Sequence, residues 1–283
     1  MQTLQKLSNR LFYLPSYQKT DRPILAAVAG DNQTLLIDAG NSSNHAQLFK
    51  EQLAPHNITG DILALTHWHW DHVFGLHEMD MPSIANYMTY NNIKELQRFS
   101  WEDKELDERV EAGIEISFCA DAIKLELGEA RDVNITDPTL IFENRMQVNL
   151  GGVNCIIEHV GGDHSPDSNL IYIQEEKALF LGDCLYANMY AEKWHYTMEK
   201  MGTLLEKIET YDAELFFLSH HPAPLSKEEF ASFFELLKTS AALTKRYEGR
   251  QEAIVKAMTS HFQRELTEED LEIIGYFVNG YAK

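Results

Sequence analysis

The stretch that most constrains this chain is Leu65-Thr66-His67-Trp68-His69-Trp70-Asp71-His72. Four side chains able to bind a metal follow directly on the apolar run Ile62–Leu65. His67 and His69 are two apart, so on extended backbone their side chains share a face. Asp71 and His72 come where the chain is expected to turn into a helix near Gly75, and a turn lets neighbours diverge toward a second ion. Burying three imidazoles and a carboxylate together is costly unless each finds a partner. A metal supplies that partner, and zinc and similar ions favour this mixture of imidazole nitrogen and carboxylate oxygen. The fold must therefore end a buried strand at a polar edge, which is where mixed α/β folds commonly build sites.

The rest of the pattern is α/β. Leu11–Tyr17, Ile24–Ala29 and Thr34–Ala39 read as strands, with Asp31-Asn32 as a hairpin turn. Asn41–Ala54 reads as a helix capped by Ser42 or Ser43, with Leu48, Phe49 and Leu53 on its apolar face. After a strand at 84–88, helices are expected at Thr89–Phe99, Trp101–Glu111 and 115–127. They form an insertion, about 89–135, covering one side of the fold. Strands return at 139–142, 146–150 and 153–160, then Leu170–Gln174 and Ala178–Leu181 as a hairpin. A helix over Thr203–Tyr211 and a last buried strand, Leu215–Leu218, complete a catalytic domain of residues 1–225. Residues 226–283 read as a helical extension, with Ser226…Glu229 and Thr267…Asp270 in the form of capping boxes. Phe230, Phe233, Phe234 and Leu237 are spaced to pack that extension on the body, with lid or homodimer roles left open.

Hydrophobic residues make up 44% of the 283, enough for a sizeable core. With Lys and Arg at 24 against 44 Asp and Glu, the formal charge is -20, which argues against a nucleic-acid partner. Cys119, Cys155 and Cys184 are odd in number and widely spaced, so reduced thiols and a cytoplasmic setting are expected. No apolar run approaches the ~20 residues of a membrane span. The N-terminal MQTLQKLSNRLFYLPSY reads as a first strand and not as a signal peptide.

His67-Trp-His69-Trp-Asp71-His72 resembles the H-x-H-x-D-H signature of the metallo-β-lactamase superfamily, and later segments resemble that family in its order. Gly161-Gly-Asp-His164-Ser-Pro looks like its third-ligand loop, although Gly-Asp-His stands where many members have Pro-Gly-His. Leu181-Gly-Asp183 is similar to the segment whose aspartate bridges two metals. Leu218-Ser-His220-His221-Pro is similar to the final histidine loop, and Leu36-Ile-Asp38-Ala-Gly40 to an early strand whose aspartate supports the site. The resemblance runs from about Leu11 to Pro222 and implies an αββα four-layer sandwich. It places one metal on His67, His69 and His164 and another on Asp71, His72 and His220, with Asp183 touching both. By position His220 matches the final ligand, and His221 remains an alternative.

The expected activity is a dinuclear metal-dependent hydrolysis, in which a hydroxide held by two divalent cations attacks a small ester, thioester, lactone or phosphoester. Zinc is the first expectation for the ions, with manganese or iron also suited. Asp71 could orient the nucleophile and pass a proton to the leaving group, or serve only as a ligand. Tyr186, three residues after Asp183, has the offset of a tyrosine that contacts substrate in similar lactonases; packing is the competing role. An iron-dependent redox enzyme similar to the persulfide dioxygenases, and a non-catalytic metal-binding protein, are the alternatives. Cys184 reads as core, Trp68 and Trp70 as packing at the site, and His77, His159 and His195 as satisfied polar residues. His45, His56 and His261 carry no signal.

Overall fold

The computed structural model describes residues 2–131 and 133–281. Its first half builds β1 (Gln5–Lys6), β2 (Leu11–Leu14), β3 (Leu25–Ala29), β4 (Thr34–Ile37), α1 (Ser43–Leu53), β5 (Ile62–Ala64), α2 (Trp70–Val73) and α3 (Leu76–Met79). There follow β6 (Ser83–Asn86), α4 (Tyr87–Leu96), α5 (Asp103–Glu111), α6 (Ser117–Leu127) and β7 (Leu140–Phe142). Among the described residues β1 to β7 make a seven-stranded sheet in chain order, antiparallel up to β4 and parallel from there. The change of sense coincides with the helices, because a parallel return needs a crossover long enough to hold one.

The second half builds β8 (Arg145–Asn149), β9 (Asn154–His159), β10 (Asn169–Ile173), β11 (Ala178–Gly182), α7 (Met198–Glu209), β12 (Leu215–Leu218) and β13 (Leu225–Ser226). These strands form a six-stranded sheet in the order β13-β12-β11-β10-β9-β8, with only β11 and β12 parallel, across α7. The chain ends in α8 (Lys227–Arg246), α9 (Gln251–Phe262) and α10 (Glu268–Tyr281).

Alternation along the strands assigns the layers. Leu11 and Tyr13 of β2 point into the space between the sheets, where they meet Ile157, Ile171, Phe180 and Phe217. Phe12 and Leu14, one residue out of step, face Phe49 and Leu53 of α1 and Ile93, Leu106 and Ile123 of the inserted helices. On the far side Leu170, Leu179 and Phe216 turn outward onto Leu204 and Leu205 of α7 and onto Phe230, Ile254 and Phe277 of the last helices. The order helices, sheet, sheet, helices is the αββα sandwich. Strands buried on both faces need no polar alternation, which is why β2 to β5 read as continuous apolar runs. Phe49, Phe217 and Phe277 are fully buried, and each contributes about 1.5–3 kcal/mol relative to exposure. Tyr13 meets Phe217 edge-on between the sheets, with ring centroids 5.6 Å apart.

Several expected boundaries move. The single N-terminal strand is two, β1 and β2, and β2 stops at Leu14 because Pro15 has no N–H to continue the ladder. α4 begins at Tyr87, not Thr89, because Asn86 caps it by accepting from the backbone N–H of Met88. α7 begins five residues before the expected Thr203. Gly202 weakens the helical pattern there, and burial of Met201, Leu204, Leu205 and Ile208 overrides it. The capping box of Ser226 and Glu229 forms at the start of α8, and Thr267 exchanges bonds with Asp270 at the start of α10. Among the described residues no helix is long and apolar enough to cross a membrane.

Candidate metal centre

The site lies where strand ends of both sheets meet. β5 delivers Thr66 to its end, and Asp38, at the end of β4, accepts from the Thr66 backbone N–H and hydroxyl at 2.8 Å each. This fixes the direction in which His67 leaves the strand. The chain then turns into α2, whose N-cap is His69 and whose single turn carries Asp71 and His72. The three other residues come from the second sheet: His164 from the loop after β9, Asp183 after β11 and His220 after β12.

These side chains form two groups, His67, His69 and His164, and Asp71, His72, Asp183 and His220. In the first, His69 Nδ1 lies 3.0 Å from His67 Nε2 and 2.9 Å from His164 Nε2. In the second, Asp71 Oδ2 lies 3.0 Å from His72 Nε2 and 3.2 Å from His220 Nε2. Asp183 Oδ2 stands between them, 3.3 Å from His164 Nε2 and 3.4 Å from His220 Nε2.

The donor set fits a pair of divalent cations. Asp71 Oδ2 and His72 Nε2 are buried and have no partner in hydrogen-bond geometry, as does the second oxygen of Asp183. Buried polar atoms without partners are expensive, and convergent nitrogen and oxygen lone pairs are what a cation would satisfy. Protonation follows the same division. Burial, and then its histidine neighbours, push His67 well below the ordinary range; burial and His164 lower His69 to about 3. His67 and His69 thus present neutral lone pairs. For His72, burial opposes charge but the carboxylates of Asp71, Asp38 and Asp183 outweigh it and raise the pKa; His220 is raised likewise against burial, chiefly by Asp183. Asp183 is held low, because His220 and His72 outweigh its own burial.

Two of the candidate ligands are braced from behind by carboxylates. Asp38 Oδ2 lies 2.8 Å from His72 Nδ1, and Asp21 Oδ1 lies 3.2 Å from His220 Nδ1. Asp21 has a left-handed backbone (φ 55°) at the end of the short turn Gln18–Thr20 and is brought to the site with no periodic pattern to announce it. The His164 loop is tied at several points. Asp163 accepts from the Thr197 hydroxyl at 2.6 Å and from its backbone N–H, binding the loop to the start of α7. Asp167 accepts from Thr89 of α4 at 2.6 Å, and Trp68 Nε1 donates to Ser165 at 2.9 Å. The unusual Gly-Asp-His order thus has a use: the aspartate is a tether. Gly182 adopts φ 53° just before Asp183, and a Cβ there would sit 2.8 Å from Cβ of Thr66.

Of the paired histidines, His220 joins the cluster, while His221 Nδ1 turns to the carbonyl of Ala223 at 2.6 Å. Tyr186 is half-buried, its ring about 6 Å from those of both His164 and His220. Cys184 is fully buried in the outer core of the second sheet, and all three cysteines are free. His77 pairs with Glu78, His159 with the carbonyl of Pro166 and His195 with that of Lys193. Sequence reasoning gave no weight to His45, which is completely buried beneath the site with neither ring nitrogen bonded. A cavity of about 370 Å³ opens above the ligand groups, with Asp71, Tyr186 and His220 in its floor and walls.

Residues 22–220 match the family model of the metallo-beta-lactamase superfamily. The chain belongs to this superfamily. A curated relative, the beta-lactamase-like protein 2 homolog of Caenorhabditis elegans, is 25% identical over 198 residues, covering 66% of this chain and 52% of that protein. The chain thus spans about half the length of that relative. Among solved structures, a metallo-beta-lactamase from Pontibacter korlensis superposes with a TM-score of 0.57 at 16% identity, covering 83% of this chain and 98% of its own. The stereoselective inverting sec-alkylsulfatase Pisa1 from Pseudomonas sp. reaches 0.64 at 13% identity, covering 100% of this chain and 52% of that one. At such identities the likeness is one of fold. This chain has the superfamily's hydrolase-like scaffold and, on it, a histidine–aspartate cluster suited to two metals.

Proposed function

We propose that this protein is a dinuclear metal-dependent hydrolase acting on a small-molecule ester, thioester, lactone or phosphoester. The observation that carries the reading is the pair of complete ligand groups joined through one oxygen of Asp183. His67, His69 and His164 would hold one ion, and Asp71, His72 and His220 the other. Two bound cations, zinc first among those that suit these ligands, supply an acidified water and a Lewis acid for the substrate oxygen.

The chain's own residues do the rest. Asp38 and Asp21 fix the ring orientation of His72 and His220, so the site is assembled before substrate arrives. Asp71, buried and held ionised by His72 and His220 against its own burial, is placed to orient the attacking water and to carry a proton toward the leaving group. The Tyr186 ring forms one wall of the cavity, from which its hydroxyl is a candidate to meet the substrate carbonyl. The formal charge of -20 supports a small molecule over a nucleic acid as the partner.

The test is elemental analysis of protein purified without added metal, beside Asp183→Ala. About two ions per chain, falling in the variant, with turnover on an ester, lactone, phosphodiester and alkyl sulfate panel that is lost in Asp71→Ala and His164→Ala, is the expected result. One iron per chain with oxygen consumption would replace this reading by the redox alternative. Stoichiometric metal without turnover would leave a binding protein.

A further inference from the structure

The cavity above the metal centre has two kinds of surface. Its floor is the ligand cluster, and its walls come from segments that carry no ligand. Ile116, Phe118 and Cys119 belong to the start of α6, in the insertion between β6 and β7. Met189 and Tyr190 belong to the segment between β11 and α7. The two walls are joined, because the Tyr190 hydroxyl donates to Glu115 Oε1 at 3.1 Å. Phe118 faces the cavity and is still 49% exposed, which places it at the mouth.

The charge of this lining is one-sided. Beyond the residues that would hold metal, its one carboxylate is Asp21, with Glu115 directly behind Tyr190, and no lysine or arginine lines the described cavity. A substrate carrying a carboxylate or phosphate away from its reacting group would bury that charge with no cation to pair it, at a cost that a neutral tail avoids. An apolar tail instead gains burial against Ile116, Phe118 and Met189.

Resting on the hydrolase reading for the site itself, we infer that the natural ligand is an uncharged carboxylic ester or lactone whose apolar tail lies between the start of α6 and the Met189–Tyr190 segment. The insertion, which supplies no metal ligand, then selects the substrate. It reads tail length and rejects remote negative charge, while the ligand cluster treats all acyl groups alike.

The experiment uses the zinc-loaded protein with p-nitrophenyl acetate, butyrate and hexanoate, and with the mono-p-nitrophenyl ester of adipic acid, which puts a carboxylate in place of the terminal methyl of hexanoate. The expected result is a kcat/KM that climbs about fourfold per added methylene and falls roughly tenfold or more from hexanoate to the adipate ester. Phe118→Ala flattens the climb, and Phe118→Lys restores turnover of the adipate ester. Binding of octanamide, followed by calorimetry, is expected to weaken in Phe118→Ala. A flat ester series, an adipate ester processed as fast as hexanoate, or octanamide binding indifferent to Phe118→Ala overturns the inference. No ester turnover, with octanamide binding still dependent on Phe118, would instead remove the hydrolase reading and leave the ligand class standing.

Discussion

Asp38 accepts from Nδ1 of His72 at 2.8 Å while its other oxygen holds the backbone of Thr66. One carboxylate therefore sets both the tautomer of a ligand histidine and the path of the strand end that carries His67. The Nδ1–H tautomer leaves Nε2 of His72 free to face Asp71 and Asp183.

Asp38→Asn tests this brace without disturbing the backbone, since asparagine tolerates the left-handed φ of 60° at that position. The expected outcome is a loss of about 10–100-fold in affinity for the ion on the Asp71, His72 and His220 side. Titration of the metal-free protein with zinc, read by calorimetry, checks it: two tight phases in the parent and one tight, one weakened phase in the variant.

The two ligand groups should respond differently to acid. His72 and His220 have raised pKa values in the metal-free site, so an ion must displace their protons, and its affinity falls as pH falls by about tenfold per unit for each proton displaced. His67 and His69 have lowered values, so they remain neutral well into the acid range and lose no affinity to protonation near neutrality. Dialysis across pH 8 to 5 followed by elemental analysis is expected to remove one ion per chain first. Simultaneous loss of both would contradict the division.

Gly182→Ala puts a side chain where φ is 53° and where Cβ of Thr66 is 2.8 Å away. Backbone strain of this kind costs about 1–3 kcal/mol, and relief requires moving Thr66, which leads into His67, or Asp183. Chemical denaturation should report that loss, and the variant should bind less than two ions per chain.

Gly202→Ala acts in the opposite direction. Gly202 lies inside α7, and an added Cβ would meet nothing within 4 Å. Removing a helix-interior glycine is worth about 0.5–1 kcal/mol, so Tm should rise by roughly 1–3 °C with metal content unchanged. A fall in Tm would mean that the helix does not run through residue 202.

What could be read from the sequence was whatever depends on local chemistry. The ligand candidates follow the ends of apolar strands, and His67 and His69 stand two apart just beyond β5, so both are visible without coordinates. Position in the sequence favours His220 over His221, but what turns the second ring away is a carbonyl, that of Ala223, which no local pattern announces. Asp21 was invisible for a related reason. It reaches His220 across 199 positions of sequence from a turn with no periodicity, and only the pairing of strand ends brings them together. The early end of β2 is missed by the expected strand Leu11–Tyr17 although Pro15 marks it, and the early start of α7 is masked by Gly202, whose local cost is outweighed by distant packing. Asp163 looked like a departure from the family pattern because its partner, Thr197, lies on another element.

Each ligand group draws members from both halves of the chain: His67 and His69 with His164, and Asp71 and His72 with Asp183 and His220. Neither half alone can present a finished coordination sphere. Full loading with metal would therefore wait until the two sheets have closed on each other. Bound ions would then act as rivets across the sandwich, so that chelation loosens the joint between the halves before it unravels either one.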